Sequence, residues 1–425
     1  MVNKRPALVV NCQGVGDVQE AVDFARSHDL AVSVRSAGHH VAGSSVLESG
    51  LVLDVSAMRG VSMDAANRRV RAEGGALIGD VDRATQEHGL AVPLGLVSAT
   101  GVAGLSLAGG YGFLRRKHGL SCDNMLAVEL VTADGREVRA SSDEEPELFW
   151  ALRGGGWDLG VVTAIEYQAH PVGPEVFMPF ITYPLAEGRR VLAGLAEFMR
   201  DAPREAGMLA VCWTFPDNEE IPSEARGQQF VGVAGPYAGD PAEGERVLAP
   251  LSELGPVLTD FSDRTQWLDA QQFFDPDYPR GGRYYWKSSH LTGLGPDSIS
   301  TLLELAASRP SQASSLDVWF NGGAIADVPA DATPISTRHL PCMIGIEANW
   351  TDQSDDQANR AWANDVSAAL KPFASGGAYL NFDDLSDPDA ARRAHGANFD
   401  RLAAVKRHYD PDYLFRSRTG VVGAL

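Results

Sequence analysis

The chain has 425 residues, 44% hydrophobic and 22% charged, enough for two domains with substantial cores. Its formal net charge of -20 argues against nucleic acid or an anionic membrane as partner, because both demand basic surface. Cys12, Cys122, Cys212 and Cys342 lie far apart without a CxxC pair, so neither a zinc site nor a disulfide framework is indicated. No apolar run approaches the roughly 20 residues of a membrane span. No charged-then-apolar leader follows Met1, so a cytoplasmic location is the default expectation.

Along the first third, short apolar strands alternate with glycine turns. "PALVVNC" reads as a strand, and "GDVQEAVDFARSHDL" as a helix with Val18, Ala21, Val22 and Ala25 on one face. "AVSVR", "GLVLDVS", "RRVRAEGG", "MLAVELVTADG" and "GVVTAIEYQAH" read as further strands, with "ALIGDVDRATQEHG" a helix among them. Such a mixture predicts an α+β fold rather than a regular doubly wound sheet. A boundary is expected at "HPVGP", His170 to Pro174. Beyond it, helices "EGRRVLAGLAEFMRDA" and "SISTLLELAASRP" alternate with strands "MLAVCWTF", "QQFVGVAGPY", "SLDVWFNGG" and "PCMIGIEANW". This predicts a separate antiparallel sheet covered by helices. From Gly376 the tail carries "AYLNF", whose alternation puts Tyr379 and Asn381 on one strand face, then a helix through "NFDRLAAVKRHYD".

Chemistry concentrates in three glycine clusters: "VRSAGHHVAGS" (34–44), "GLVSATGVAGLSLAGGYG" (95–112) and "LRGGGWDLGVV" (152–162). Backbone amides freed by such turns can converge on a pyrophosphate. None has the GxGxxG spacing between strand and helix of a Rossmann site, and no phosphate-binding P-loop is present. Three distant loops around one elongated ligand suit FAD better than a mononucleotide.

Taken in order with the tail motif, these segments resemble the FAD-linked oxidases of the vanillyl-alcohol-oxidase superfamily, in the berberine-bridge-enzyme-like branch. The resemblance spans nearly the whole chain and rests on "VRSAGHHVAG", "TGVAGLSLAGGYGFLRRKHGLSCDN", "ELFWALRGGG", "GVVTAIEY", "AYLNF" and "NFDRLAAVKRHYDPDYLF". It implies a two-part FAD-binding domain (1–172, joined by 376–425) and a substrate-binding domain at 173–375. Relatives usually carry a helical stretch before "RPALVV", so either Met1 is an internal methionine or that helix is dispensable.

The resemblance implies that His39 bonds the C8 methyl of the flavin, an imidazole nitrogen being a competent nucleophile. His40 is then a neighbour facing outward or a hydrogen-bonding partner. Many relatives add a cysteinyl bond, but the matching position is Val97, and Cys122 belongs to another motif, so a single linkage is expected. The family's "GGH" histidine is Leu105. The remaining FAD contacts implied are Arg35, Ser36, Ala37 and Gly38 at the pyrophosphate; Thr100, Gly101 and Gly104 beside it; Asp123 and Asn124; Val162 near the adenine; and Asn381 from the tail. Two departures stand out: Trp157 and Asp158 replace Gly and Asn, and "FRSRTG" replaces the usual "FRxNQ".

Hydride transfer to a flavin leaves an O–H or N–H proton to remove, so a base is needed. Tyr379 and Tyr111 match family tyrosines over the ring, the alternative being aromatic packing on the cofactor. In the second domain, Tyr285, Trp286, Lys287, Trp319 and Asn321 are candidate lining residues, and Glu347 is the best carboxylate base. The competing reading of Glu347 is a solvent-facing residue on a half-exposed strand. No metal is implied. The expected activity is oxidation of an alcohol, amine or activated C–H of a small natural-product-like molecule, with O2 as acceptor and H2O2 as product. Two rivals remain: a flavoprotein scaffold for polyketide-like cyclisation without net redox, and an FAD-binding protein without turnover. Oligomeric state is not readable.

Overall fold

The computed structural model describes residues 2–219, 221–385, 387 and 389–416. At the N-terminus a three-stranded parallel sheet runs in the order Leu8–Asn11, Leu51–Asp54, Val32–Arg35. Parallel neighbours require a crossover, and the helix Val15–Ser27 supplies one, burying Val18, Ala21, Val22 and Ala25 as its periodicity predicts. A five-stranded antiparallel sheet follows, in the order Val61–Asp64, Arg69–Glu73, Val161–Gln168, Met125–Val131, Glu137–Ser141.

Sheet membership changes after His170–Pro171. The next large sheet has seven antiparallel strands, in the order Thr259–Asp260, Phe180–Pro184, Gln229–Ala234, Leu209–Thr214, Ser315–Phe320, Cys342–Trp350, Arg283–Leu291. Alternation divides its side chains. Ala210, Cys212, Leu316, Val318, Ile344 and Ile346 pack with Leu192, Leu195, Ile299, Leu302, Trp362 and Val366 from the helices Gly188–Asp201, Pro296–Ala307 and Asp356–Leu370. The intervening residues Leu209, Val211, Trp213, Asp317, Trp319 and Glu347 point away from those helices, into a cleft. The architecture is α+β, as expected.

The tail returns to the N-terminal sheet. Phe415 bridges Val32; the Val32 amide donates to Leu414 O (2.8 Å) and the Arg416 amide to Val32 O (2.9 Å). One expected element differs: "AYLNF" is not a strand but a 3₁₀ turn over Leu380–Phe382. The Tyr379 amide is taken by Ser288 Oγ (2.9 Å), and the Phe382 amide closes locally on Tyr379 O (2.9 Å), so no ladder forms. The strands Val61–Asp64, Glu137–Ser141 and Phe180–Pro184 and the helix Asp356–Leu370 add to the elements read from the sequence. The "FRSRTG" departure from position 417 onward lies outside the described residues.

Candidate active site

The three glycine clusters meet at one cleft with a cavity of about 520 Å³. Its floor comes from Arg35–His40, Val97, Thr100, Gly101, Gly104, Leu105 and Trp157; its roof is the open face of the seven-stranded sheet; Tyr379, Asn381 and Phe382 close it from the tail. Gly38 needs its missing side chain, because its φ is +73° and a Cβ would lie 3.2 Å from Arg35 Nε. A Cβ on Gly101 would meet Ser36 Oγ at 2.5 Å, so two loops touch backbone to side chain here. Ser36 Oγ is buried without a hydrogen-bond partner, and Arg35 stands beside it, paired with Asp54 at 2.5 Å. An orphaned hydroxyl and an arginine in a glycine cradle fit an elongated anionic group such as the FAD pyrophosphate.

The adjacent histidines occupy different environments. His40 Nε2 donates to Leu380 O (2.9 Å), and His40 Nδ1 accepts from the Ala42 amide (3.2 Å) with Ser44 Oγ also at 3.2 Å. Trp157 stands edge-on to the ring at 4.7 Å and anchors its own indole on Gly104 O (2.6 Å). Burial lowers the His40 pKa to about 4, so the ring is a neutral strut. His39 instead opens onto the cleft, with Thr100 Oγ1 3.5 Å from its Nδ1. Partial desolvation first, then the Arg280 guanidinium, lower its pKa, with Asp275 opposing.

Tyr379 is buried, and its phenol oxygen accepts from the Tyr111 amide (3.1 Å) and Asn381 Nδ2 (2.9 Å). Burial raises its pKa to about 12, while these donors and the Gly110 amide pull the other way. Asn381 also donates to Leu105 O (2.9 Å), so the turn, despite not being a strand, brings Tyr379 and Asn381 together. Tyr111 packs against Tyr379 with ring centroids 4.8 Å apart, and its hydroxyl lies 3.4 Å from His290 Nε2. Burial pushes the Tyr111 phenol upward.

Glu347 is 2% exposed and lines the cleft, which overturns the reading of a solvent-facing glutamate. Tyr278 Oη donates to Glu347 Oε2 at 2.7 Å. Asp317, two residues along the neighbouring strand from the Ser315 that pairs with Glu347, faces the same space. Neither Tyr278 nor Asp317 was singled out by the sequence analysis. Yet "SLDVWF" carries the same signal as "IGIEANW", an acid in an otherwise apolar strand.

Other expected residues lie elsewhere. Asp123 is an ion-pair partner of the buried Arg338 (2.6 Å), Asn124 donates to His118 O and Leu120 O (2.9 Å each), and Val162 is a buried strand residue opposite Leu130. None of the three lines the cleft. Trp286 and Trp319 do line it. Tyr285 belongs to the helix-covered core, Lys287 pairs with Asp384 (2.7 Å), and Asn321 donates to Leu340 O (3.0 Å). All four cysteines are free and buried, and none lines the cleft; no His/Cys/Asp/Glu cluster suited to a metal occurs among the described residues. No helix among the described residues is long and apolar enough to cross a membrane.

Comparison with known proteins agrees with this geometry. Residues 6–141 match an FAD binding domain, and residues 378–422 match a berberine and berberine-like segment. The (R)-6-hydroxynicotine oxidase of Paenarthrobacter nicotinovorans is 31% identical, over 97% of this chain and 90% of that protein. An FAD-linked oxidoreductase of Dictyostelium discoideum is 29% identical, over 99% and 91%. The crystal structure of 6-hydroxy-D-nicotine oxidase from Arthrobacter nicotinovorans superposes with a TM-score of 0.87 at 27% identity, covering 98% of this chain and 92% of that one. With its FAD-binding segment, its berberine-like tail and this full-length similarity, the chain belongs to the berberine-bridge-enzyme-like family of FAD-dependent oxidoreductases.

Proposed function

We propose that this chain is an oxidase that carries FAD on a single covalent bond to His39. It oxidises an alcohol, amine or activated C–H of a small natural-product-like substrate, with O2 as acceptor and H2O2 as product. In this reading residues 1–172 and 376–425 hold the cofactor, and 173–375 hold the substrate.

The contrast between the two histidines carries the reading. A ring nitrogen bonds carbon only when unprotonated and unoccupied. His40 spends both nitrogens on the protein, whereas His39 faces the cleft with its pKa lowered. Valine at position 97 and the absence of cysteine from the cleft lining support one bond rather than two. When bound, the flavin supplies a hydride acceptor whose electrons pass to oxygen. The chain's own residues then orient the substrate under the aromatic roof, exclude water, and take its O–H or N–H proton. Tyr379, Tyr111 and Glu347 all face that space.

Denatured, acid-precipitated protein is expected to stay yellow and to gain the mass of one FAD, with flavin mapped to the peptide that contains His39. His39→Ala releases the flavin on denaturation; His40→Ala retains a covalent fraction. A colourless pellet from the unmutated protein, or flavin on a cysteine-containing peptide, would overturn the linkage. Substrate-dependent O2 consumption separates the oxidase from a scaffold without turnover.

A further inference from the structure

The cleft roof holds two carboxyl groups where the reaction needs one base. Asp317 lies opposite Gly345 and Glu347 opposite Ser315, so the two acids are diagonal neighbours across one strand pair. Gly345 lies between them. A Cβ there would sit 3.4 Å from Asp317 Cβ, 3.4 Å from Phe382 Cε2 and 3.6 Å from Glu347 Oε1. Both carboxyl groups face the same enclosed space, and two buried acids this close do not both ionise, so one proton is shared between them.

The surroundings decide where that proton sits. Glu347 Oε2 already accepts from Tyr278 Oη, leaving Oε1 to carry the proton toward Asp317. Asp317 lines the cleft, and its Oδ1 is buried with no hydrogen-bond partner. Among the other charged groups, Arg309 favours the ionised form of Asp317 from a distance, but it donates to Thr214 Oγ1 (2.9 Å) and does not line the cleft; Arg280 stands near His39, and Asp277 adds a further acid near Tyr278. Burial raises both acids above the usual carboxylate range, and the Asp317 charge pushes Glu347 further, whereas Glu347 and Arg309 pull Asp317 back down, so Asp317 is the member that ionises first.

A buried anion with an orphaned oxygen is costly until a cation or donor meets it. Around this one stand Trp213, Trp286, Trp319 and Phe382, whose ring faces favour cations over anions. We propose that Asp317 and Glu347 form a one-proton acid pair in which Asp317, the ionised member, binds a substrate ammonium group and accepts its N–H proton. The inference rests on reading the cleft as a flavoenzyme's substrate site, and it narrows the substrate to an amine on an apolar body. In the step one N–H bond breaks and one O–H bond forms on Asp317. The ammonium becomes a neutral amine, the pair becomes uncharged, and no electrons move. Tyr278 is a positioning residue that keeps Glu347 turned toward Asp317.

The test uses the flavin-loaded protein under anaerobic conditions at neutral pH, with benzylammonium and its neutral counterpart benzyl alcohol as probes, their Kd values read by calorimetry. Benzylammonium is expected to bind about tenfold tighter or better. Asp317→Asn should erase that preference, bringing the two affinities within about twofold of each other. Glu347→Gln should keep the preference, because the amide N–H donates to Asp317 as the acid O–H does. Equal affinities in the unmutated protein would overturn the amine assignment. Loss of preference in Glu347→Gln with retention in Asp317→Asn would reverse the roles and overturn the proposal; should Asp317→Asn fail to fold, the Glu347→Gln result alone decides. Flavin colour in the denatured pellet is scored separately, so failure of the covalent-oxidase reading remains distinguishable.

Discussion

A tyrosine serves as a base only where its phenolate is held, and the Tyr379 oxygen in this cleft is met by two donors. Burial alone disfavours the anion, but the Tyr111 amide and Asn381 Nδ2 both point at its oxygen, leaving the pKa at about 12. Tyr111 has a longer 3.4 Å contact to His290 and no backbone amide aimed at its oxygen among the contacts described, so it is the weaker candidate. Tyr379→Phe keeps the ring packing against Tyr111 and Phe382 and should leave flavin content intact. If the phenol takes part in proton removal, anaerobic flavin reduction slows by about 10²–10⁴-fold; an unchanged rate would return Tyr379 to packing. At this scale the motifs placed His39 and Asn381 at one site, and both line the cleft. The sequence was not legible where strand register decides. Glu347 reads equally well as exposed or buried until the sheet shows which face is covered, and Tyr278 sits in a loop, "FDPDYPR", with no periodicity at all.

Among the elements, the helix Ile78–Gln86 shows a conflict between pattern and chemistry. Its buried face runs Ile78, Val81, Asp82, Thr85, and both carboxylate oxygens of Asp82 lack a partner. Burial, then the nearby Asp275, raises the Asp82 pKa well above its ordinary value. The folded-state pKa thus exceeds the unfolded value of about 3.9. Stability from this group is fully present below about pH 4 and declines by about 1.4 kcal/mol per pH unit as pH rises, until the folded pKa is reached. Asp82→Asn removes that slope. The gain in Tm of Asp82→Asn over the parent should therefore be larger at about pH 8 than at about pH 5; a gap independent of pH would show that Asp82 is ionised in the fold. The helix itself was legible from its 3.6-residue period. The buried acid was not, because an aspartate on the edge of an apolar stripe usually turns to water. The tail turn failed for a related reason: "AYLNF" alternates, but its amides are taken by Ser288 and by its own 3₁₀ bond.

For the whole molecule, order along the chain was legible and closure was not. Strand and helix periods reveal most of the strands and helices, because those signals are local. What brings residues 376–416 back to the first strands is a buried polar knot invisible to periodicity. Lys406 Nζ donates to Asp158 O (2.5 Å), Phe415 O (3.0 Å) and Asp410 Oδ2 (2.5 Å), while Asp410 accepts the amides of Leu414 (2.8 Å) and Phe415 (3.0 Å). Both side chains are fully buried, and the knot holds Phe415 where it bridges Val32 at the back of the cleft. Removing one partner strands the other charge in the core, so Asp410→Ala should cost about 3–5 kcal/mol in equilibrium unfolding. Adding Lys406→Met removes the stranded ammonium and should recover part of that loss, since an apolar replacement of both partners relieves desolvation. The recovery distinguishes a buried ion pair from simple loss of packing, in which the second substitution would only add to the damage. An Asp410→Ala protein as stable as its parent would mean that the tail is held by the apolar contacts of Phe399, Leu402 and Phe415 alone.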